Sequence, residues 1–99
     1  MGFINRNYCK TLSSSINNST YTKLSAQECS ETTVMLYSST LTDYVDIIDI
    51  NNPSIPFRIL ANKDFTFRGL TDSSQLSAKG SNSLTLYYRT QYFGSMTDL

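Results

Sequence analysis

Residues Lys63 to Phe93 read KDFTFRGLTDSSQLSAKGSNSLTLYYRTQYF, and the alternation inside this stretch decides the fold class. Asp64-Phe65-Thr66-Phe67-Arg68 alternates polar and aromatic side chains, the period of a half-buried strand. Ser83 to Tyr92 alternates as well: Leu84, Leu86 and Tyr88 fall on one face, Thr85, Tyr87, Arg89 and Gln91 on the other. Between them Gln75-Leu76-Ser77-Ala78-Lys79 is a shorter strand, bounded by Gly69 with Asp72-Ser73-Ser74 on one side and by Gly80-Ser81-Asn82 on the other. Three strands joined by two short polar links predict a meander at the centre of one antiparallel sheet.

Outward from this stretch the chain keeps the same character. Tyr8 to Ser13 reads as a strand, Ser13 to Ser19 as a polar loop, and Thr20 to Leu24 as a short β-rich run. In Glu31 to Tyr37, Thr32, Val34 and Leu36 oppose Thr33, Met35 and Tyr37, and apolar residues on both faces suggest a central strand. Ser38 to Asp43 is a link. Tyr44 to Ile50 follows with Val45 and Ile47 on one face; a helix competes here, but β-branching and the Asn51-Asn52-Pro53 stop favour a strand. Asn51-Asn52-Pro53-Ser54 is the strongest turn signal in the chain. Ile55 to Ala61 then places Ile55, Phe57 and Ile59 inward, and Pro56, which cannot donate to a ladder, puts this strand at an edge.

About eight short strands at roughly ten-residue spacing, with no convincing helix, predict an all-β chain: a single antiparallel β-sandwich of jelly-roll or Greek-key type. The expected organisation is an N-terminal arm over residues 1–7, the sandwich over 8–93 and a polar tail over 94–99. The expected core is Val34, Leu36, Val45, Ile47, Phe57, Ile59, Phe65, Phe67, Leu70, Leu76, Leu84, Leu86 and Tyr88.

Composition narrows function more than it specifies it. Eight Lys and Arg balance eight Asp and Glu, so an electrostatic grip on nucleic acid or anionic lipid is not expected. Charged residues make up 16%, and the surface is rich in hydroxyls instead. No apolar run is long enough to span a membrane, and the first residues lack the apolar core of a secretory signal, so the chain is expected to stay in the cytosol where it is made. The Asn17 and Asn18 sequons would matter only in a secreted eukaryotic protein.

Catalysis lacks its usual parts. The chain has no histidine, so the commonest general base is missing and neither Cys9 nor Cys29 has an imidazole partner. The two cysteines fit no zinc spacing; packing as small apolar side chains is the simplest reading, with a disulfide and a reactive thiol as alternatives. Asp43, Asp46 and Asp49 recur every third residue, which no strand can present on one face, so a solvated surface is expected before a calcium site. No enzyme activity, cofactor or metal is therefore expected. Tyr87, Arg89 and Phe93 on the face opposite Leu84 and Leu86, with Arg68 outward on its own strand, have the composition of interface cores; the alternative is that a second sheet covers that face. Phe3, Ile4 and Arg6 in the apolar-tipped arm complete the candidate interface.

The run FTFRGLTDSSQLSAKGSNSLTLYYRTQYF, preceded by AQECSETTVMLYSS, resembles small virion proteins of tailed bacteriophages, particularly those infecting marine cyanobacteria. The similarity lies in Cys29-Ser30-Glu31 leading into a strand, Phe65 to Thr71, Gln75 to Lys79 and Leu86 to Tyr92, and covers about two-thirds of the chain. It implies a capsid decoration (cement) protein, made in the bacterial host cytoplasm and carried in the virion, with the major capsid protein or other virion proteins as partners and a homotrimer as its assembly. A tail, neck or fibre component is the alternative. A carbohydrate-binding module stacking sugars on Tyr87 and Tyr92 is a third reading.

Overall fold

The computed structural model describes residues 3–4, 8–93 and 97–98. Its strands are β1 (Phe3–Ile4), β2 (Tyr8–Ile16), β3 (Thr22–Lys23), β4 (Glu31–Met35), β5 (Tyr44–Asp49), β6 (Asn52–Leu60), β7 (Asp64–Arg68), β8 (Leu76–Gly80), β9 (Leu84–Tyr92) and β10 (Thr97–Asp98). One 3-10 turn, Ser73–Gln75, precedes β8. Eight of these strands form two four-stranded sheets, with order β2-β9-β4-β7 in the first and β3-β8-β5-β6 in the second. All the pairings are antiparallel. Successive strands alternate between the sheets except at the β5–β6 hairpin, and this order is that of a jelly roll. Separately, β1 pairs with β10, Phe3 opposite Asp98 and Ile4 opposite Thr97.

The expected meander is not one. β7 and β9 lie in the first sheet, while β8 lies in the second. Local alternation says which side chains share a face, but a meander and a sandwich crossing place the same residues inward. The crossing is forced because β8 is apolar at Leu76 and Ala78 and needs a sheet opposite, and because β9 already has β2 and β4 as neighbours. The link Ser81–Ser83 makes the passage between layers about 10 Å apart. Gly80 permits it: a Cβ there would sit 2.7 Å from the backbone oxygen of Asn82.

The core between the sheets is Ile16, Leu24, Cys29, Val34, Leu36, Val45, Ile47, Ile59, Leu70, Leu76, Ala78, Leu86 and Tyr88, with Phe67 and Leu84 packed against it. Of the expected core residues, Phe67 and Leu84 are half-buried and two are exposed, Phe57 at 42% and Phe65 at 41%. Both do face inward. Phe57 lies in register with Ile47 and Ala78, and Phe65 with Val34 and Tyr88, all buried. They remain open because β6 and β7 are the edge strands on one side of the sandwich, and no further strand covers them. Ile55, also expected inward, is 65% exposed.

The polar loop expected over Ser13 to Ser19 is strand as far as Ile16, which is buried. The nine-residue ladder to β9, from Tyr8 opposite Tyr92 to Ile16 opposite Leu84, holds three successive serines in a conformation their own preferences do not specify. The strong turn signal is displaced by one residue: Asp49 pairs with Asn52, so Ile50 and Asn51 turn the chain and Pro53 falls within β6. β6 tolerates both prolines because it is an edge strand whose register to β5 shifts between Ile47 and Asp49.

Candidate functional site

The outer face of the first sheet follows from the register. One row across it runs Thr11, Arg89, Thr33, Thr66; the next runs Ser13, Tyr87, Met35, Asp64; on the other side Cys9, Gln91, Glu31 and Arg68 align. Each of these strands turns its alternate residues into the core, so this set is what the sheet shows to solvent. Nothing in the described chain lies over it, and Tyr87 is 40% exposed.

Thr11, Thr33, Met35, Tyr37, Tyr87 and Arg89 line an open hollow of about 510 Å³ on this face. Tyr37 and Tyr87 form its wall, ring centroids 5.9 Å apart and planes at 55°. The Tyr37 hydroxyl donates to Met35 Sδ at 3.6 Å. Arg89 Nε donates to Thr11 Oγ1 at 3.4 Å, a long bond that leaves most of the guanidinium for other acceptors. Thr33 and Thr66 hydroxyls meet at 2.8 Å. A smaller hollow of about 310 Å³ is lined by Ser30, Glu31, Arg68, Gly69, Leu70 and Phe93. There Arg68 Nε lies 3.6 Å from Glu31 Oε2, and the Phe93 N–H donates to Ser30 Oγ at 2.9 Å.

Four residues singled out in the sequence, Arg68, Tyr87, Arg89 and Phe93, thus gather on one outer surface. Tyr37 belongs with them and was missed, because apolar residues on both faces of its strand read as a central strand rather than as an open surface. The side chains of Phe3 and Ile4 are not described, and Arg6 lies outside the described residues. Tyr87 and Tyr92, paired in the carbohydrate reading, differ by an odd number of residues on one strand, so they leave it on opposite faces and form no shared platform.

The aspartates are not a solvated surface. Asp43 is buried: Oδ2 accepts from Ser38 Oγ at 2.7 Å, and Oδ1 from Asn82 Nδ2 at 2.8 Å and Ser81 Oγ at 2.9 Å. These bonds, led by Ser38, hold its carboxyl below the usual carboxylate range. Asp46 is buried too and takes Arg58 in a two-bond fork, Nε at 2.9 Å and Nη2 at 3.1 Å. The Arg58 Cζ lies over the Tyr44 ring, 3.7 Å from its centroid. Asp49 accepts the Asn51 N–H at 2.7 Å inside the hairpin turn. Three aspartates with one spacing have three separate sets of partners, and among the described residues no group of His, Cys, Asp or Glu is placed to hold a metal ion.

Neither cysteine is bridged. Cys29 is buried beside Thr32, and burial pushes its thiol up, away from the reactive thiolate. Cys9 is exposed, contrary to the packing expected for it, because β2 is an edge strand and residue 9 points outward from it. Among the described residues no helix is long and apolar enough to cross a membrane. Comparison with protein-family models, curated proteins and solved structures finds no match.

Proposed function

We propose that this protein is a non-enzymatic structural component of a virion, a decoration (cement) protein on the head of a tailed bacteriophage. In this reading it docks on the major capsid protein or another virion protein through the outer face of its first sheet. The observation that carries the proposal is the open face bearing Tyr37, Tyr87 and Arg89 over a floor of threonines. Exposed tyrosines and a loosely held arginine are the side chains most enriched in the buried centres of protein interfaces. The resemblance of Phe65 to Thr71 and Leu86 to Tyr92 to small phage virion proteins supplies the kind of partner. The jelly roll itself favours no single function, since capsid and lectin domains share it.

Tyr87→Ala tests the reading. Tyr87 is already open to solvent, so truncation leaves no internal cavity, and the folding stability read from the urea midpoint should stay within roughly ±0.5 kcal/mol of wild type. Binding to phage heads stripped of the protein should weaken by about 2 kcal/mol, roughly 30-fold. Unchanged binding would take this face out of the contact.

A second reading draws on the hollow itself. Two tyrosines, an arginine and two threonine hydroxyls around an open floor are chemistry that suits a carbohydrate, as in a tail or fibre component touching a host surface. Copy number in the purified particle separates the two: hundreds mark head decoration, a few dozen or fewer mark the tail or neck.

A further inference from the structure

The β6–β7 side of the sandwich carries a different surface. β6 is a nine-residue edge strand of the second sheet, and on the same side β7 is the edge of the first. Between them Phe57, Phe65 and Phe67 stack as a triad, with centroids 4.3 Å apart for Phe57 and Phe65, 5.0 Å for Phe65 and Phe67 and 5.7 Å for Phe57 and Phe67. They close the mouth of the sandwich and stay partly bare, while Leu60, 57% exposed, leaves β6 on its outer face.

Edge strands are normally protected by charge, proline or a bulge. In β6 the prolines, Pro53 and Pro56, and the register shift all lie in the first half. Phe57 to Leu60 has none of these. Its single charge, Arg58, is already neutralised by the fork from Asp46.

We infer that β6 pairs antiparallel with β6 of a second copy of this chain, across a two-fold axis near the proline-free segment Phe57–Leu60. Three features select a copy over another partner. A strand meets its own copy antiparallel across any perpendicular two-fold, so one edge supplies both halves of an isologous interface. With Arg58 held by Asp46, the facing strands bring no uncompensated like charges together. The chain as a whole carries no net charge that would repel its copy. The pairing joins two four-stranded sheets into one of eight and sets the two phenylalanine triads against each other, removing from water the apolar mouth that each monomer leaves open. This surface is separate from the face assigned to particle docking, and it predicts a two-fold dimer where the phage resemblance implies a trimer.

Sedimentation velocity over a wide concentration range tests it on the full chain. Wild type should move from a species of 11.2 kDa toward twice that mass. The double variant Ile55→Lys/Leu60→Lys alters two residues that are already exposed, so its urea midpoint should hold while its dimer dissociation constant rises about 30-fold or more. Thr85→Lys, on the outer face of the first sheet, should dimerise as wild type does. Hydrogen exchange provides a second readout: the amides of Arg58 and Leu60, which point away from β5, should gain protection as concentration rises. A monomer at all concentrations, a trimer, or a dimer that the double variant leaves intact would each overturn the pairing. A monomer that still binds phage heads would overturn it and leave the docking proposal standing.

Discussion

At the scale of single residues the fold depends on polar atoms placed where the layers meet. Tyr88 is fully buried, yet its hydroxyl accepts the Ser25 N–H at 2.7 Å and shares a hydrogen with Ser14 Oγ at 2.8 Å. One phenol therefore ties β9 to β2 and to the chain leaving β3. Tyr88→Phe keeps the ring and removes both bonds, so it should cost about 1 kcal/mol, read as a lower urea midpoint at unchanged slope. Asp43 joins the β4–β5 link to the β8–β9 link through Ser38, Ser81 and Asn82. Its folded-state pKa is depressed, so its ionised form stabilises the fold above the ordinary carboxylate range of about pH 4, and that contribution is lost as pH falls through the folded-state value. Asp43→Asn should therefore be less stable than wild type at pH 7, and the gap between their urea midpoints should narrow as pH is lowered toward 2. A gap that stays constant with pH would show that the charge at Asp43 contributes nothing. Asp72, held low chiefly by the Ser74 N–H, shapes the acid limb of both proteins equally and drops out of the difference.

At the scale of elements, parity was legible in the sequence and sheet membership was not. The alternation of Leu84, Leu86 and Tyr88, of Val45 and Ile47, and of Thr32, Val34 and Leu36 names the inward side correctly for each strand. Even Phe57 and Phe65 point inward as read. What alternation cannot carry is whether another strand lies beyond, because a two-residue period describes one strand and says nothing of its neighbours. Pro56 was the exception, since a missing N–H is a statement about pairing, and it placed β6 at an edge. Of the face proposed for docking, Tyr87 and Arg89 stood out in the sequence as outward residues, whereas Tyr37 joined them only once β4 and β9 were paired. The links show the same division. Gly69 and Gly80 look alike in the sequence but serve different needs: Gly69 has φ +77° with open space around it, while Gly80 lacks room for a Cβ. Either changed to Ala should lose about 1–3 kcal/mol, one to left-handed strain and the other to overpacking. Asparagine separates them. Gly69→Asn should recover part of the loss, because Asn tolerates that φ, and Gly80→Asn should be worse than Ala. Thermal midpoints of the four variants check the ordering.

For the whole molecule, the consequence of this strand order is kinetic. Of the connections from β2 to β9, only the β5–β6 hairpin joins neighbours in a sheet. The longest ladder pairs β2 with β9, residues 8–16 with 84–92, so the two ends of the sandwich must meet before that ladder can form. The closing entropy of such loops is lost before their contacts compensate for it, which is why folds built on distant pairings are slow. The core offers little local help, since Ile16, Leu24 and Cys29 from the first third pack against Leu76, Leu86 and Tyr88 from the last. Refolding from urea should accordingly occur over milliseconds to seconds, not microseconds, despite the small size of the domain. Tyrosine fluorescence reports it without substitution, as the chain has seven tyrosines and no tryptophan. Leu86→Ala, in the strand central to the first sheet, should slow refolding if β9 docks before the barrier is crossed. The same change would leave the refolding arm unmoved and speed only unfolding if β9 joins last. Complete refolding within microseconds would mean that the barrier is set by the β5–β6 hairpin alone, and that the distant pairings form downhill.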